Sequence, residues 1–330
     1  MNQAIDFVVM WVDGNDPIWR EKKKHYKTDN VFKEDDSEVR YRDWDNLEIW
    51  LKSVETFAPW VRNVFIITDN QQPKMNGNNP KVRIVDHKDF IPEQYLPVFS
   101  ANPIELNVHR IEGLSEQFVL FNDDMFLIRP VAPTDFFDNG NPKDMYGLNV
   151  VAGIGMKEII QNITLNDVSL INAHFNKGES LKKNRSKWYS LKNGPYLLRT
   201  LLLKPWGFFT GFVEPHVANS YLKSTFEEVW TKEYDVLDQT CYRKFRNIGD
   251  VNQWLIRYWQ LASGISVNRN YNFGKFFDVT DENVDACAQW IMNQKSSIVC
   301  INDKESIRDF ESVKNKLNHA LESVISMEGK

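Results

Sequence analysis

Cysteine is scarce, long apolar runs are missing and there is no excess of positive charge; each absence narrows the field. Three cysteines in 330 residues, Cys241, Cys287 and Cys300, are too few for a disulfide framework and too widely spaced for a zinc knuckle, so they are expected to be reduced. The one strongly apolar N-terminal stretch, Phe7 to Val12, carries no basic leader and is too short for a signal-peptide core or a membrane span, which predicts a cytoplasmic protein. A net charge of −5 argues against sequence-independent nucleic-acid binding. No internal repeat or low-complexity linker interrupts the chain. What is present, 42% hydrophobic and 13% aromatic residues, suits a globular chain with room for one large domain or two smaller ones.

Ile5 to Val12 reads as a short buried strand, ended by the turn-forming run Asp13, Gly14, Asn15, Asp16 and Pro17. Leu47, Trp50, Leu51, Val54, Phe57 and Ala58 share one helical face that Pro59 closes, with Asp43 or Asp45 placed to cap its start. Further strands are predicted at Val64–Thr68, ending at Asp69 and Asn70, and at Val82–Val85, ending at Asp86 and His87. After a helix around Ile104–Ile111, the strand Phe118–Phe121 runs into Asn122, Asp123 and Asp124. This rhythm predicts an α/β fold with a largely parallel, Rossmann-like sheet flanked by helices. Residues 1–150 make the α/β half and residues 151–330 a more irregular helical half, the two expected to form one integrated domain. Within the second half, Lys177 to Lys204 is a basic tract whose only acid is Glu179, read as a solvated face or as a surface for anionic lipid or a phosphate-bearing glycan. Ile307, Phe310, Val313, Leu317, Leu321 and Val324 predict a closing amphipathic helix.

In an open α/β sheet the ligand lies beyond the carboxyl ends of the strands, so several strands that each end in Asp or Asn converge on one polar edge. Asp123 and Asp124 behind Asn122 form a hard oxygen cluster suited to Mg²⁺ and substrate phosphates, although one of them could simply turn the chain while the other faces solvent. Asp13 is the natural third member. Arg40, Arg42 and Asp43 precede the first helix, where they could clamp a diphosphate or form an exposed ion pair. His109 and Arg110 could neutralise a phosphate or complement a helix dipole. His216 has the chemistry of a general base, but a lone histidine is more often structural, and the same caution covers Arg246. Asn302, before Asp303 and three residues before Glu305, has a helix-capping box available to it. On these grounds alone the reading stops at a phosphate-binding α/β protein.

The segments themselves carry a resemblance. IDFVVMWVDGNDP from Ile5, RYRDWDNLEIWLKSVETFAPWVRNVFIITDNQQP from Arg40 continuing to HRIEGLSEQFVLFNDDMF, FVEPHVANSYLKSTFEEVW followed by FRNIGDVNQ, and IVCIND resemble in order the four conserved regions of the Stealth family of sugar-phosphate transferases. That family includes bacterial capsule and cell-wall polysaccharide phosphotransferases and the N-acetylglucosamine-1-phosphotransferase that tags lysosomal enzymes. Met10, where Thr is common, and Met75, where Trp commonly follows the proline, depart from its pattern. The resemblance implies transfer of a sugar-1-phosphate from a nucleotide-sugar, a uridine diphosphate (UDP) N-acetylhexosamine, to a glycan or polysaccharide hydroxyl, with Mg²⁺ or Mn²⁺ as cofactor. It implies that Asp13, Asp123 and Asp124 serve donor and metal, and that His216, Arg246 and Asn302 complete the catalytic centre. Gly14, Arg40, Arg42, Asp43, His109, Arg110 and Asp303 join the expected substrate-binding set. A glycosyltransferase that breaks the bond from sugar carbon to oxygen is the alternative enzyme, and a non-catalytic carbohydrate-binding protein the alternative outside enzymes. Oligomeric state and peripheral attachment to the inner face of a membrane are left open.

Overall fold

The computed structural model describes residues 4–27, 34–35, 41–75, 79–155 and 158–328. Its principal elements, in chain order, begin with β1 (Ile5–Met10), α1 (Pro17–Tyr26), α2 (Leu47–Phe57), β2 (Val64–Thr68), β3 (Val82–Asp86), α3 (Ala101–Asn107), β4 (Gln117–Phe121) and β5 (Met125–Leu127). They continue with α4 (Ile159–His174), α5 (Tyr196–Leu203), β6 (Asn219–Leu222), α6 (Gln253–Ser263), β7 (Gly274–Asp278), α7 (Val284–Met292), β8 (Ile298–Asn302) and α8 (Phe310–Glu328).

The main sheet has the order β3-β2-β1-β4-β6. Its first four strands are parallel, with Val8 opposite Phe65 on one side and Leu120 on the other, and β6 joins antiparallel to β4. Both faces are covered, so Phe7–Val9 of β1 and Phe118–Phe121 of β4 are buried and read as unbroken apolar runs instead of alternating ones. Period-two geometry then divides them between two cores. Phe7, Val9 and Phe121 pack with Trp50 of α2 and Leu317 and Leu321 of α8, while Val8, Phe65 and Leu120 pack with Leu255 and Trp259 of α6. Asp6 is the polar exception in β1: its buried carboxylate accepts from the Ser115 and Asn63 backbone at 2.7 and 3.1 Å and pairs with Arg62.

A second sheet places β8 between β7, parallel to it, and β5, antiparallel. Because β5 starts immediately after Asp124, this sheet folds the C-terminal half back over the carboxyl end of β4. Several boundaries differ from expectation. The helix expected at Ile104–Ile111 is α3, starting at Ala101 where the Ser100 hydroxyl accepts from Asn102 N–H, and it passes into a 3₁₀ turn at Val108–Arg110. Neither Asp43 nor Asp45 caps α2. Asn46 holds that position without a side-chain bond, Asp43 Oδ1 instead accepts Asp45 N–H at 2.8 Å, and Asp45 pairs with Lys314 at 2.8 Å. The closing helix begins at Phe310, behind Asp309, whose carboxylate accepts Ser312 N–H at 3.1 Å, so Ile307 is buried ahead of it. In the basic tract, Lys177 is buried and Lys187 is turned inward to the Gly264 carbonyl at 2.6 Å, so the tract is not solvated throughout. Among the described residues no helix is long and apolar enough to cross a membrane.

Candidate active site

A cleft of about 680 Å³ opens beyond the carboxyl ends of β1, β2 and β4 and is closed from the other side by the ends of β7 and β8 and the Glu214–Val217 loop. Asn122 to Asp124 form the turn between β4 and β5, where Met125 N–H returns to the Asn122 carbonyl at 3.2 Å and Ile301 N–H donates to the Asp124 carbonyl at 2.8 Å. The two sheets thus hold this turn between them.

Asp124 Oδ2 accepts from the Cys300 thiol at 3.3 Å, while its Oδ1 is buried without a hydrogen-bond partner. Side-chain donor atoms of Asp124, His216 and Cys300 all lie within 4.8 Å of one another. Burial pushes the Cys300 thiol well up, and the adjacent Asp124 carboxylate reinforces this, so the sulfur donates to Asp124 as a neutral thiol. Asp123 is open to the cleft but enclosed by its walls. Withdrawal from bulk water, then the charges of Asp124 and Asp43, push its carboxyl up to about 7. An orphaned carboxylate oxygen beside a second strained carboxyl is a donor set that a divalent cation satisfies.

Asp13 lies behind the cleft lining, where its charge helps to raise the carboxyl of Asp43. Asp13 Oδ1 accepts Asn15 N–H at 2.8 Å, and Gln71 bonds both its backbone N–H and its carbonyl at 2.9 Å. Gly14 permits a close packing contact: a Cβ there would sit 1.9 Å from the Tyr41 carbonyl oxygen. That close approach presses the Tyr41–Asp43 segment into the cleft wall. Arg42 is already engaged, with Nε 3.5 Å from Asp303 Oδ2 and its guanidinium 4.5 Å over the Phe310 ring. Asp303 also accepts from Trp44 Nε1 at 3.3 Å, and burial raises its carboxyl, as it does that of Asp43. Arg42, Asp43 and Asp303 all line the cleft, whereas Arg40 lies outside the described residues.

His109 and Arg110 are not cleft residues. His109 is buried and stacked on Phe226 with ring centroids 5.6 Å apart, and desolvation, then the Arg110 charge, lower its imidazole to about 3. Arg110 lies over the Trp230 ring at 4.9 Å and donates to Asn107 at 2.9 Å. His109 belongs to the core, and the exposed Arg110 covers it from the surface.

His216 lines the cleft in a left-handed conformation, φ +50°, which non-glycine residues adopt only when their surroundings impose it. Glu214 Oε1 accepts the His216 backbone N–H at 3.1 Å. The ring is packed 4.8 Å from Phe276 and 6.0 Å from Trp254. Arg246 lines the cleft near Glu105, whose carboxylate accepts from Gln253 Nε2 at 3.0 Å. Asn302, at the end of β8, donates from Nδ2 to Asp278 Oδ1 at 2.7 Å and caps no helix, since α8 starts at Phe310.

Four residues escaped the sequence reading. Asp278 ends β7 and obeys the same strand-end rule as Asp124, but it lies in the half read as irregular. Glu214 stands two residues from His216 and could have been found there. Glu105 and Cys300 offer no sequence signal, since each matters only through neighbours brought from distant segments.

The pattern models for Stealth protein conserved regions 1 and 2 match residues 3–31 and 40–144. A capsular polysaccharide phosphotransferase, WcwK of Streptococcus pneumoniae, is 41% identical over 97% of this chain and 95% of its own. The receptor polysaccharide phosphotransferase WefC of Streptococcus gordonii is 42% identical over 98% of both chains. An exopolysaccharide phosphotransferase of Lactiplantibacillus plantarum, cps2G, is 38% identical over 97% of this chain and 93% of its own.

Proposed function

The chain belongs to the Stealth family of phosphotransferases, and on that footing we propose that it moves a hexose- or N-acetylhexosamine-1-phosphate from a UDP-sugar to a glycan hydroxyl, releasing uridine monophosphate (UMP). The product is a phosphodiester in a capsular or other cell-surface polysaccharide, the class of molecule for which the relatives are named. The observation that most supports this reading is the convergence of Asp123, Asp124, His216, Arg246 and Asn302 on one cleft, from segments that span the chain.

In the proposed reaction the acceptor oxygen attacks the phosphorus that bears the sugar, and the bond from that phosphorus to the bridging oxygen breaks, so the bridging oxygen leaves on UMP. His216 takes the acceptor proton, and its ring is held against Phe276 for that task. Arg246 stands where a guanidinium can bear phosphoryl oxygens, with buried Glu105 steadying it. Asn302, fixed by Asp278, orients the donor through its free amide oxygen. Asp124 with Asp123 would hold Mg²⁺ or Mn²⁺, which when bound would supply charge neutralisation for the donor diphosphate. Residues 1–150 and 151–330 act in this reading as two halves of one catalytic unit, since each contributes cleft residues. A cytoplasmic site of action accords with three buried cysteines, none in a disulfide. A screen of nucleotide-sugars with a glycan acceptor tests the proposal: UMP release from a UDP-sugar supports it, and release of UDP opposes it.

A further inference from the structure

α5 is amphipathic in an unusual sense, because it has an anchored face and a second apolar face that meets solvent. On the anchored side Thr200 and Leu203 are buried, and the Thr200 hydroxyl accepts Leu148 N–H at 3.0 Å. On the other side Leu198, Leu201 and Leu202, at helical spacing, are 64%, 48% and 65% exposed. The chain beyond the helix adds Trp206 and Phe208, 58% and 71% exposed.

This display is fixed in place. The buried ammonium of Lys177 donates to the Leu203 carbonyl at 2.7 Å and to the Trp206 carbonyl at 2.6 Å, so one side chain closes the helix end and orients the Trp206–Phe208 turn. Phe209, immediately after it, is buried and donates its N–H to Asn172 Oδ1 at 2.8 Å. Five large apolar side chains are therefore held outward by a rigid base, where hydration opposes their exposure.

Charge says what covers them. From Leu181 to Val213 the sequence contains no Asp or Glu, in a chain whose net charge is −5. Lys182, Lys183, Arg185, Lys192, Arg199 and Lys204 in that interval are all exposed. Apolar and aromatic side chains interleaved with solvent-facing cations match the boundary of an anionic bilayer, where leucine, tryptophan and phenylalanine enter the acyl edge and lysine and arginine meet lipid phosphates. A helix of 8 residues cannot cross that layer, so the contact is superficial.

We propose that α5 and the following turn through Phe208 form a docking surface for an anionic phospholipid bilayer. The contact stands independently of the reaction assigned to the cleft.

The test is flotation of the full chain with phosphatidylglycerol-containing vesicles or with pure phosphatidylcholine vesicles. The wild type should float with the anionic vesicles at moderate salt and about tenfold less with the neutral ones. Trp206→Ser with Phe208→Ser, and separately Leu198→Ser with Leu202→Ser, should each lower vesicle binding about tenfold while leaving the thermal midpoint unchanged. Lys192→Gln with Arg199→Gln and Lys204→Gln should abolish the preference for anionic vesicles. Absence of flotation, or equal flotation of the wild type and both apolar double variants, would overturn the proposal. So would a dimer in sedimentation equilibrium that Trp206→Ser with Phe208→Ser dissociates, because a second copy would then be the occupant.

Discussion

Arg257, fully buried on α6, donates from Nη1 to Glu214 Oε2 at 2.8 Å, and the other oxygen of Glu214 receives the His216 backbone N–H. The same guanidinium donates from Nη2 to Asp144 at 2.9 Å. The left-handed turn that presents His216 thus rests on a buried cation shared by two carboxylates. Arg257→Met should cost about 3–5 kcal/mol of unfolding free energy, because it leaves Glu214 enclosed without its cation and Asp144 with only Arg269, 4.0 Å away. Glu214→Gln keeps an acceptor for His216 N–H and should cost less. Urea midpoints of the two variants measure the difference, and equal losses would contradict the arrangement.

Asp124→Asn should lower turnover by about a thousandfold or more with the fold intact, since an amide cannot supply the negative charge that would hold a divalent cation. Cys300→Ala should stay within about tenfold of wild type, because in the proposed centre the thiol serves as a donor to Asp124 and the carboxylates hold the cation. Steady-state kinetics with thermal melts separates the two, and a Cys300→Ala variant as inactive as Asp124→Asn would make the sulfur a direct ligand.

The buried His109 makes a prediction about acid. Its folded pKa, about 3, lies below the ordinary 6.5, so the unfolded chain binds the extra proton between these values. Stability from this residue is therefore complete above pH 6.5 and is lost as the pH falls toward 3, at up to about 1.4 kcal/mol per pH unit. His109→Phe preserves the stack on Phe226 and should flatten that limb of the stability curve without changing turnover. Urea titrations at several pH values give the slope, and an unchanged slope would place the acid sensitivity elsewhere.

The contrast between His109 and His216 shows what sequence can and cannot convey. β1, β2 and β4 are legible because burial on both sheet faces writes an apolar run, and the acids at their ends follow from the topology of an open sheet. Whether a given polar residue faces the cleft depends on partners far away in sequence. His109 turns inward because Phe226 and Trp230 come to meet it, and Asp13 acts on the cleft only through its charge beside Asp43. Arg257 lies forty-three residues from Glu214, a separation to which no local periodicity applies. The docking face of α5 was visible as cations but not as exposed leucines, since exposure is a property of the fold.

Gly14→Ala places a methyl group against the Tyr41 carbonyl, where the backbone must shift to admit it. The expected cost is about 1–3 kcal/mol, with a larger rise in donor KM than fall in kcat, because Arg42 and Asp43 move with Tyr41. Thermal melts and kinetics check both parts. An unchanged KM would show that the segment does not shape the donor site.

The central claim concerns which bond breaks. A UDP-sugar donor labelled at its sugar-proximal phosphorus, incubated with glycan acceptor and Mg²⁺, distinguishes attack at that phosphorus from attack at the anomeric carbon. The account predicts that the label enters the glycan as a phosphodiester, with UMP as the only nucleotide product. Label recovered entirely in UDP, beside an ordinary glycoside, would contradict it.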